Sequence, residues 1–203
     1  MMSCNVPMKV FIKNMVCSRC ILVIERELRE MGIQPLKVEL GFAEFANELT
    51  DEQLCTFEMH LVALGFELIK ESKNRQVEEV KALLIRKLQQ SRIEEHFSIR
   101  KYLSAHISKE YSHVSKVFSQ KEGRTIEQYF ILLKIEKVKE LLSYEEKTLN
   151  EIAWMLGYSS VQHLSSQFKR VLGVSTRNFK TSLPSSRKTI DRIGRDDLSV
   201  NLP

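Results

Sequence analysis

The chain has 203 residues, of which 43% are hydrophobic and 28% charged, with only 7 Gly and 4 Pro. These values are typical of one or two globular domains and exclude collagen-like and low-complexity chains. Residues 1–72 carry 7 Lys and Arg against 11 Asp and Glu, whereas residues 73–203 carry 24 against 15. A net charge of +9 favours a polyanion as partner of the second part only. The same charges also fit the solvated faces of ordinary helices, so charge alone does not decide.

The sequence disfavours a membrane-spanning or secreted protein. No apolar run approaches the roughly 20 residues that span a bilayer. The start lacks a basic region followed by an apolar core, so no secretory signal is visible. We therefore expect a cytoplasmic protein with no membrane partner. In a reducing compartment, Cys17 and Cys20 indicate metal or redox chemistry rather than a disulfide framework.

The first seventy residues alternate strand-like runs with helical ones. Apolar side chains recur with the period of a strand in some segments and of a helix in others, and Gly residues separate them. The predicted elements are a strand at Lys9–Lys13, a helix at Ser18–Met31, strands at Leu36–Leu40 and Phe42–Phe45, a helix capped by Thr50 or Asp51 and stopped by Gly65, and a strand at Phe66–Lys70. This βαββαβ order predicts a ferredoxin-like sandwich over residues 1–71.

The rest of the chain is predicted to be helical, which makes the whole an α+β protein. A polar linker at Glu71–Gln76 and a connecting helix at Val77–Gln90 fall within residues 72–96. Further helices are predicted over residues 97–181, at Ser98–His106, Ser112–Gln120 with Gly123 closing it, Thr125–Ser143, Thr148–Gly157, from Ser159 or Ser160 to Gly173, and from Ser175 onward. Residues 182–203 are rich in Ser, Arg and Asp, and we expect a disordered tail.

One pattern occurs twice in the helical region. A short helix, a tight turn, a capped second helix and a closing Gly begin at Ser98 and again 50 residues later at Thr148. Val114 matches Leu164 in the second copy, and Phe118 matches Phe168. The repeat predicts two helix-turn-helix modules joined by a long helix.

Fixed spacings in this region resemble the carboxy-terminal DNA-binding domain of AraC/XylS-type regulators. The residues that carry the resemblance are Tyr129, Lys134-Ile135, Leu141-Leu142, Ile152-Ala153, Leu156-Gly157-Tyr158, Phe168-Lys169-Arg170 and Gly173. The resemblance implies a regulator, not an enzyme, whose two recognition helices enter successive major-groove segments of double-stranded DNA. It also implies RNA polymerase and a second copy of the chain as partners. Lys134, Ser166 and Thr176 stand where the family often has Arg, a basic residue and Pro.

Carried over position by position, the resemblance assigns two sets of DNA contacts. The residues expected to face bases are Ser112, Ser115, Lys116, Gln162, His163, Ser165 and Ser166. The residues expected to contact the backbone are Lys109, Lys121, Lys169 and Arg170. Because Ser166 removes one potential guanine contact, we expect the second helix to read weakly or through Gln162 and His163. Trp154, Tyr158 and Phe168 are expected in the core; His163 fits base contact and packing equally.

The segment Met15-Val16-Cys17-Ser18-Arg19-Cys20 lies between the first strand and the first helix. In the βαββαβ context it resembles the metal loop of heavy-metal-associated domains over about residues 8–71. The resemblance implies one soft metal ion on Cys17 and Cys20, with Cu(I) favoured and Ag(I), Hg(II) or Zn(II) as alternatives. A helix start stabilises the thiolate of Cys20. Asn14 replaces a common Gly, and Gly65-Phe66 would lie beside the loop.

Met15 is expected to be buried rather than ligating, and Cys55 to be a buried helix residue. The cysteines can instead be inert in a scaffold or dimerisation module, or form a redox pair. For the whole chain, we predict a DNA-binding regulator that senses a soft metal; a metal chaperone or buffer is the alternative. A Ser/His/Asp set and a phosphate-binding Gly-rich loop are not apparent, which disfavours an enzyme.

Overall fold

The computed structural model describes residues 7–69, 72–144 and 146–181, without the side chains of residues 72, 73 and 181. The chain divides into an amino-terminal unit ending at Leu83 and a carboxy-terminal unit beginning at Leu84. The tail predicted at residues 182–203 lies outside the described residues.

The amino-terminal unit contains the predicted order of strands and helices. Its elements are β1 at Met8–Lys13, α1 at Ser18–Glu30, β2 at Lys37–Glu39, β3 at Phe42–Phe45, α2 at Asp51–Ala63 and β4 at Glu67–Leu68. Thr50 caps α2 through a capping box in which its side chain accepts from the Gln53 N–H. The four strands form a small antiparallel sheet in the order β2-β3-β1-β4.

The core of this unit follows from the two periodicities of the sequence. Alternate residues of β1 and β3 are buried together with residues one helical turn apart on α1 and α2. The buried set is Val10, Ile12, Ala43, Phe45, Ile24, Leu28, Phe57 and Leu61. Leu64 follows the last residue of α2, Ala63, and its side chain is 44% exposed. The strand predicted at Phe66–Lys70 is shorter than expected and pairs through Glu67 and Leu68.

The predicted linker at Glu71–Gln76 is wrong from Ser72 onward. A single helix, α3, runs from Ser72 to Gln89. Lys, Arg and Gln are good helix formers, so polarity in this segment marks a solvated helical turn rather than a loop. The expected periodicity of the connecting helix is confirmed, since Val77, Val80, Leu84 and Leu88 are buried. The division between the two units falls inside α3.

The carboxy-terminal unit is helical throughout its described part beyond α3. Its helices are α4 at Ile99–His106, α5 at Tyr111–Glu122, α6 at Ile126–Tyr144, α7 at Leu149–Met155, α8 at Val161–Leu172 and α9 at Thr176–Thr181. The predicted caps Ser98 and Thr148 accept backbone N–H groups of α4 and α7. Ser160, rather than Ser159, caps α8.

The start predicted for α5 is wrong by one residue. Ser112 was expected to begin it, but the helix begins at Tyr111 with Glu110 in the cap position and no capping hydrogen bond from the Glu110 side chain. Gly123 and Gly173 close α5 and α8 as expected. Both have left-handed backbones, with φ of 68° and 73°. A side chain on either would strain that conformation, so Gly is required there.

The long helix α6 contributes the buried centre of this unit. Ile126, Phe130, Leu133 and Val138 are all buried, as their spacing predicted. α6 contacts α5, α7 and α8. Within the described part of the chain, none of the helices combines the length and apolarity needed to cross a membrane.

Candidate DNA interface and Cys-x-x-Cys loop

The two second helices, α5 and α8, present the same order of buried and exposed residues. Ser112, His113 and Lys116 are exposed, Ser115 is half-buried, and the three remaining residues of 112–118 are buried. Residues 162–168 repeat this order position by position, 50 residues later. Each helix therefore has one polar face, and the two faces occupy equivalent positions. The repeat predicted from the sequence is thus also a repeat in which positions are buried and which are exposed.

All residues predicted to meet DNA are accessible. On α8, Gln162, His163 and Ser166 are exposed and Ser165 is half-buried. The four residues predicted to contact the backbone, Lys109, Lys121, Lys169 and Arg170, are exposed as well. α5 and α8 thus bring the predicted base-facing residues into two groups, one per helix. DNA contact by any of them stays a prediction.

An aromatic pair anchors each helix from its buried side. The ring of Phe118 on α5 meets Tyr129 of α6 edge-on, with centroids 5.5 Å apart. Phe168 on α8 meets Phe179 of α9 in the same way, also at 5.5 Å. Such edge-to-face pairs add to area burial. The predicted core position of Phe168 is therefore confirmed, and α5 and α8 are each held against the core by a buried Phe.

His163 is exposed and also makes two contacts within the carboxy-terminal unit, so the choice between base contact and packing stays open. Its side chain is exposed on α8, yet its Nδ1 lies 3.2 Å from the Ser159 hydroxyl. Its ring also meets the edge of buried Tyr158, with centroids 5.4 Å apart and the planes at 90°. Both contacts orient the imidazole at the start of α8, while leaving it accessible.

Trp154 is not in the core, contrary to prediction. Its side chain is 56% exposed, and the Arg92 guanidinium lies 4.1 Å from the ring centroid. The buried residues of α7 are Ile152 and Ala153, and the helix ends at Met155. Trp154 therefore points away from the covered side, and Arg92 stacks on it as a cation–π pair.

Tyr111, in the first helix-turn-helix module of the carboxy-terminal unit, was not singled out from the sequence. It opens α5, and its hydroxyl donates a hydrogen bond to the Glu127 carboxylate on α6. The Arg100 guanidinium of α4 lies 5.7 Å from its ring centroid. Burial, and next the bond to Glu127, raise the pKa of Tyr111 above its ordinary range. Its only signal in the sequence was an aromatic residue at a helix start.

Comparison with known proteins bears on this same region. Residues 103–182 match the protein family described as "Helix-turn-helix domain". A segment of 69 residues is 32% identical to the "Xylose operon regulatory protein" of Escherichia coli (strain K12), and the protein of that name from Escherichia coli O157:H7 gives the same values. The segment is 34% of this chain and 18% of the relative, so the match spans less than a fifth of the relatives' length.

Two solved structures are also similar. The carboxy-terminal domain of AraT, a response regulator from Geobacillus stearothermophilus, is 20% identical and has a TM-score of 0.44 over 58% of this chain and 89% of that domain. The xylose-binding transcription activator xylR is 17% identical, with a TM-score of 0.41 over 77% and 36% of the two chains. The family and sequence matches are with regulators rather than enzymes, and they support the AraC/XylS resemblance for the carboxy-terminal part.

The Cys-x-x-Cys loop lies where it was predicted, between β1 and α1. Cys17 is the N-cap residue of α1, and its Sγ lies 3.6 Å from the Sγ of Cys20. Both side chains are half-buried. The expected stabilisation of the Cys20 thiolate is not observed, because burial raises the pKa of this thiol despite backbone hydrogen bonds that lower it. Desolvation thus outweighs the helix start here.

Neighbouring residues shape this loop. Asn14 has a left-handed φ of 72°, and its amide donates to the Gly65 carbonyl at 2.9 Å. Asn tolerates this conformation better than most residues, which explains how it replaces Gly. Met15 is buried, as expected, whereas Cys55 is exposed on α2, contrary to expectation. Among the described residues, no group of three or more His, Cys, Asp or Glu could hold a metal ion.

Proposed function

We propose that the chain is a sequence-specific DNA-binding transcriptional regulator that acts in the cytoplasm. The observation that carries the proposal is the repeated order of burial on α5 and α8, which gives two equivalent polar faces on anchored helices. A helix fits the major groove of DNA, and helix-turn-helix proteins present their second helix to base edges. The helix-turn-helix match over residues 103–182 supports this assignment.

Each polar face is assigned its own role. On α5, Lys116 is the proposed guanine-reading residue, and on α8, Gln162 pairs with adenine while His163 assists it. Lys109, Lys121, Lys169 and Arg170 contact phosphates, which set affinity and salt dependence. RNA polymerase and a second copy of the chain are the proposed protein partners. Xylose occurs only in the names of the similar proteins and is not proposed as a ligand of this chain.

The experiment begins with the selection of duplexes from a random library by the full chain. Lys116→Ala is expected to weaken binding to the selected duplex by about 1–3 kcal/mol, because it removes a base contact. Lys37→Ala removes the same charge from an exposed residue of the amino-terminal unit and serves as the control. If no duplex is selected, the function is wrong; if both variants behave alike, Lys116 is not a base contact.

Salt dependence is a second measurement of the same proposal. With on the order of five phosphate contacts, the logarithm of affinity falls with the logarithm of salt at a slope of roughly −4 to −5. Lys169→Ala should weaken binding to all sequences alike and make that slope shallower by about one contact. A slope near zero contradicts a basic face docked on DNA.

For the amino-terminal unit, we propose a ferredoxin-like, heavy-metal-associated type of domain that holds one soft metal ion on Cys17 and Cys20. The element order and the strand order β2-β3-β1-β4 support the fold. Two adjacent thiols are a soft donor set, which suits Cu(I), Ag(I) or Hg(II) and is tolerated by Zn(II). When bound, the ion supplies charge to the loop, and both thiols must first release their protons.

The Sγ atoms of Cys17 and Cys20 lie 3.6 Å apart, so both thiolates would hold the same ion once they have lost their protons. The charge introduced at this loop is proposed to alter DNA binding, and a sensor of this kind needs a coupling free energy of about 1–3 kcal/mol.

The metal proposal is tested with Cys17→Ser/Cys20→Ser and with Cys55→Ser as the control, since Cys55 is an exposed thiol outside the loop. Binding of Cu(I) against a competing chelator should be lost in the double variant and kept in the control. Equal binding by all three proteins contradicts the site and favours a scaffold or dimerisation module. Metal binding that never changes affinity for the selected duplex favours a metal buffer.

A further inference from the structure

A lysine of the long helix α6 reaches the turn that precedes the second recognition helix. The Lys134 Nζ donates to the Leu156 carbonyl at 3.3 Å. The same Nζ lies 4.0 Å from the ring centroid of Tyr158, within cation–π distance. Leu156 and Tyr158 belong to the short segment between α7 and α8. One ammonium group therefore makes two contacts to this turn.

Tyr158 passes this restraint on to both sides of α8. Its hydroxyl donates to the Gln167 Oε1 at 2.7 Å, and both residues are buried. The edge contact between Tyr158 and His163 reaches the exposed face of the same helix. A continuous path of contacts thus joins α6 to the buried side and to the predicted base-facing side of α8.

Three carboxylates line the space beside Lys134 in the described part of the chain. A cavity of about 160 Å³ beside it is lined by Glu127 from its own helix and by Glu94 and Glu95 from the segment before α4. Glu94 is already paired with Lys87 at 2.7 Å. From the turn, Tyr158 is the titratable neighbour. Burial of its ammonium lowers the pKa of Lys134 to about 8.

We propose that Lys134 is a positioning residue for α8, and that affinity for DNA falls when its ammonium loses its proton. The neutral amine is not attracted to the ring of Tyr158 and donates a weaker hydrogen bond to the Leu156 carbonyl. The turn then loses the restraint that orients Gln162 and His163. This inference rests on the proposed function, because it concerns how the second unit reads DNA.

Stability and DNA affinity should respond to pH in opposite directions. The folded-state pKa of Lys134 lies below its ordinary value of 10.5. The unfolded chain therefore binds more protons between about pH 8 and 10.5, and this group makes the free energy of unfolding rise with pH across that window. A residue whose only role is to support the fold would move stability and affinity in the same direction.

The experiment compares the full chain with Lys134→Arg and Lys134→Met on a duplex selected from a random library by the wild-type protein. Arg keeps its charge over the whole range, so it is the conservative control. Between pH 7 and about pH 9.5, wild-type affinity should fall roughly tenfold more than that of Lys134→Arg, a change set by one lost charge-assisted contact. Lys134→Met should bind weakly already at pH 7, with circular dichroism and unfolding showing an intact fold.

The outcomes separate this proposal from the one on which it rests. If Lys134→Arg loses affinity with pH as the wild-type protein does, the positioning role is wrong while DNA binding stands. If Lys134→Met is folded and binds as the wild-type protein does at pH 7, the role is wrong again. If the wild-type protein selects no duplex, the proposed function fails and this inference fails with it. NMR titration of labelled lysines with a midpoint near the ordinary value for Lys134 would also overturn the pH response.

Discussion

The two helix-turn-helix modules of the carboxy-terminal unit have similar second helices, α5 and α8, but differ in the turns that lead to them. α5 and α8 repeat one order of burial, and both end at a left-handed Gly. The entry to α5 passes from Ile107 to Glu110, which makes no capping hydrogen bond through its side chain. The entry to α8 contains left-handed Gly157 and is capped by Ser160.

The difference shows which contacts hold the second helix of each helix-turn-helix module in place. In the first unit, Tyr111 ties the start of α5 to Glu127 of α6. In the second, Lys134 of the same helix α6 holds the turn before α8. Both modules are therefore held by α6. In the first module α6 contacts the start of α5, and in the second it contacts the turn that precedes α8. The two exposed helix faces are alike, although the contacts that hold the two helices differ.

The largest expected effect tests the shared part of the comparison. Phe118 and Phe168 are both fully buried, and each meets a second aromatic ring. Phe118→Ala and Phe168→Ala should each lower the free energy of unfolding by about 3–5 kcal/mol, through lost transfer energy and a cavity. Urea unfolding followed by the fluorescence of Trp154, the single Trp of the chain, reports on this unit. Clearly unequal losses would show that the two cores are not equivalent.

A somewhat smaller effect is expected at the glycine that only the second turn has. A Cβ at Gly157 would lie 2.8 Å from the Glu94 carbonyl oxygen and 3.0 Å from that of Ile93, whereas one at Gly173 meets nothing described within 4 Å. Gly157→Ala should therefore cost about 3 kcal/mol, against about 1 kcal/mol for Gly173→Ala, which suffers from its positive φ alone. The same unfolding assay measures both, and equal costs would exclude the backbone clash.

The helix caps provide a third test. The Ser160 hydroxyl accepts from the His163 N–H at 3.1 Å, while Glu110 is not a side-chain cap. Ser160→Ala should lower the free energy of unfolding by about 1 kcal/mol, and Glu110→Ala by less than about 0.5 kcal/mol. Thermal unfolding by circular dichroism can resolve this difference. A larger loss at Glu110 would mean that the first entry depends on its carboxylate.

The smallest effect concerns the exposed stack at Trp154. The equivalent position of the first unit holds Ser104, so Trp154→Ser copies one unit into the other. Losing the contact with Arg92 should cost about 0.5–1 kcal/mol, as expected of an exposed cation–π pair. Arg92→Gln should cost a similar amount, and the double variant little more than either one, when all are measured by circular dichroism. Additive losses would show that the two side chains do not interact.

Much of the fold was accessible to sequence reasoning because it depends on local periodicity. Apolar spacing located each helix of the carboxy-terminal unit to within a few residues, and Gly123 and Gly173 marked helix ends through their backbone conformation. The start of α5 was predicted one residue late, at Ser112, because Ser is favoured at helix starts. Tyr111, which begins the helix, is hydrogen-bonded to Glu127, 16 residues away. Such contacts between elements are invisible to local propensity.

The candidate site was predictable in its positions but not in its supports. Helical spacing placed Lys116 and Gln162 on polar faces, and both are exposed. The same spacing put Trp154 in the core, because periodicity describes a face and not what covers it. Lys134 was noted only as standing where the family often has Arg, yet its ammonium contacts a carbonyl 22 residues further along the chain. Contacts with DNA follow from the resemblance and stay predictions.

The repeated order of burial also determines which substitutions α5 and α8 can accept without loss of packing. Ser112, His113 and Lys116, with their equivalents on α8, are solvent-exposed, so replacing them leaves the buried atoms of both units in place. Surface substitutions of this kind usually alter stability by less than about 0.5 kcal/mol. Under the proposed function, substitutions at these positions would therefore change DNA recognition by α5 or by α8 separately, without disturbing the packing of the other helix.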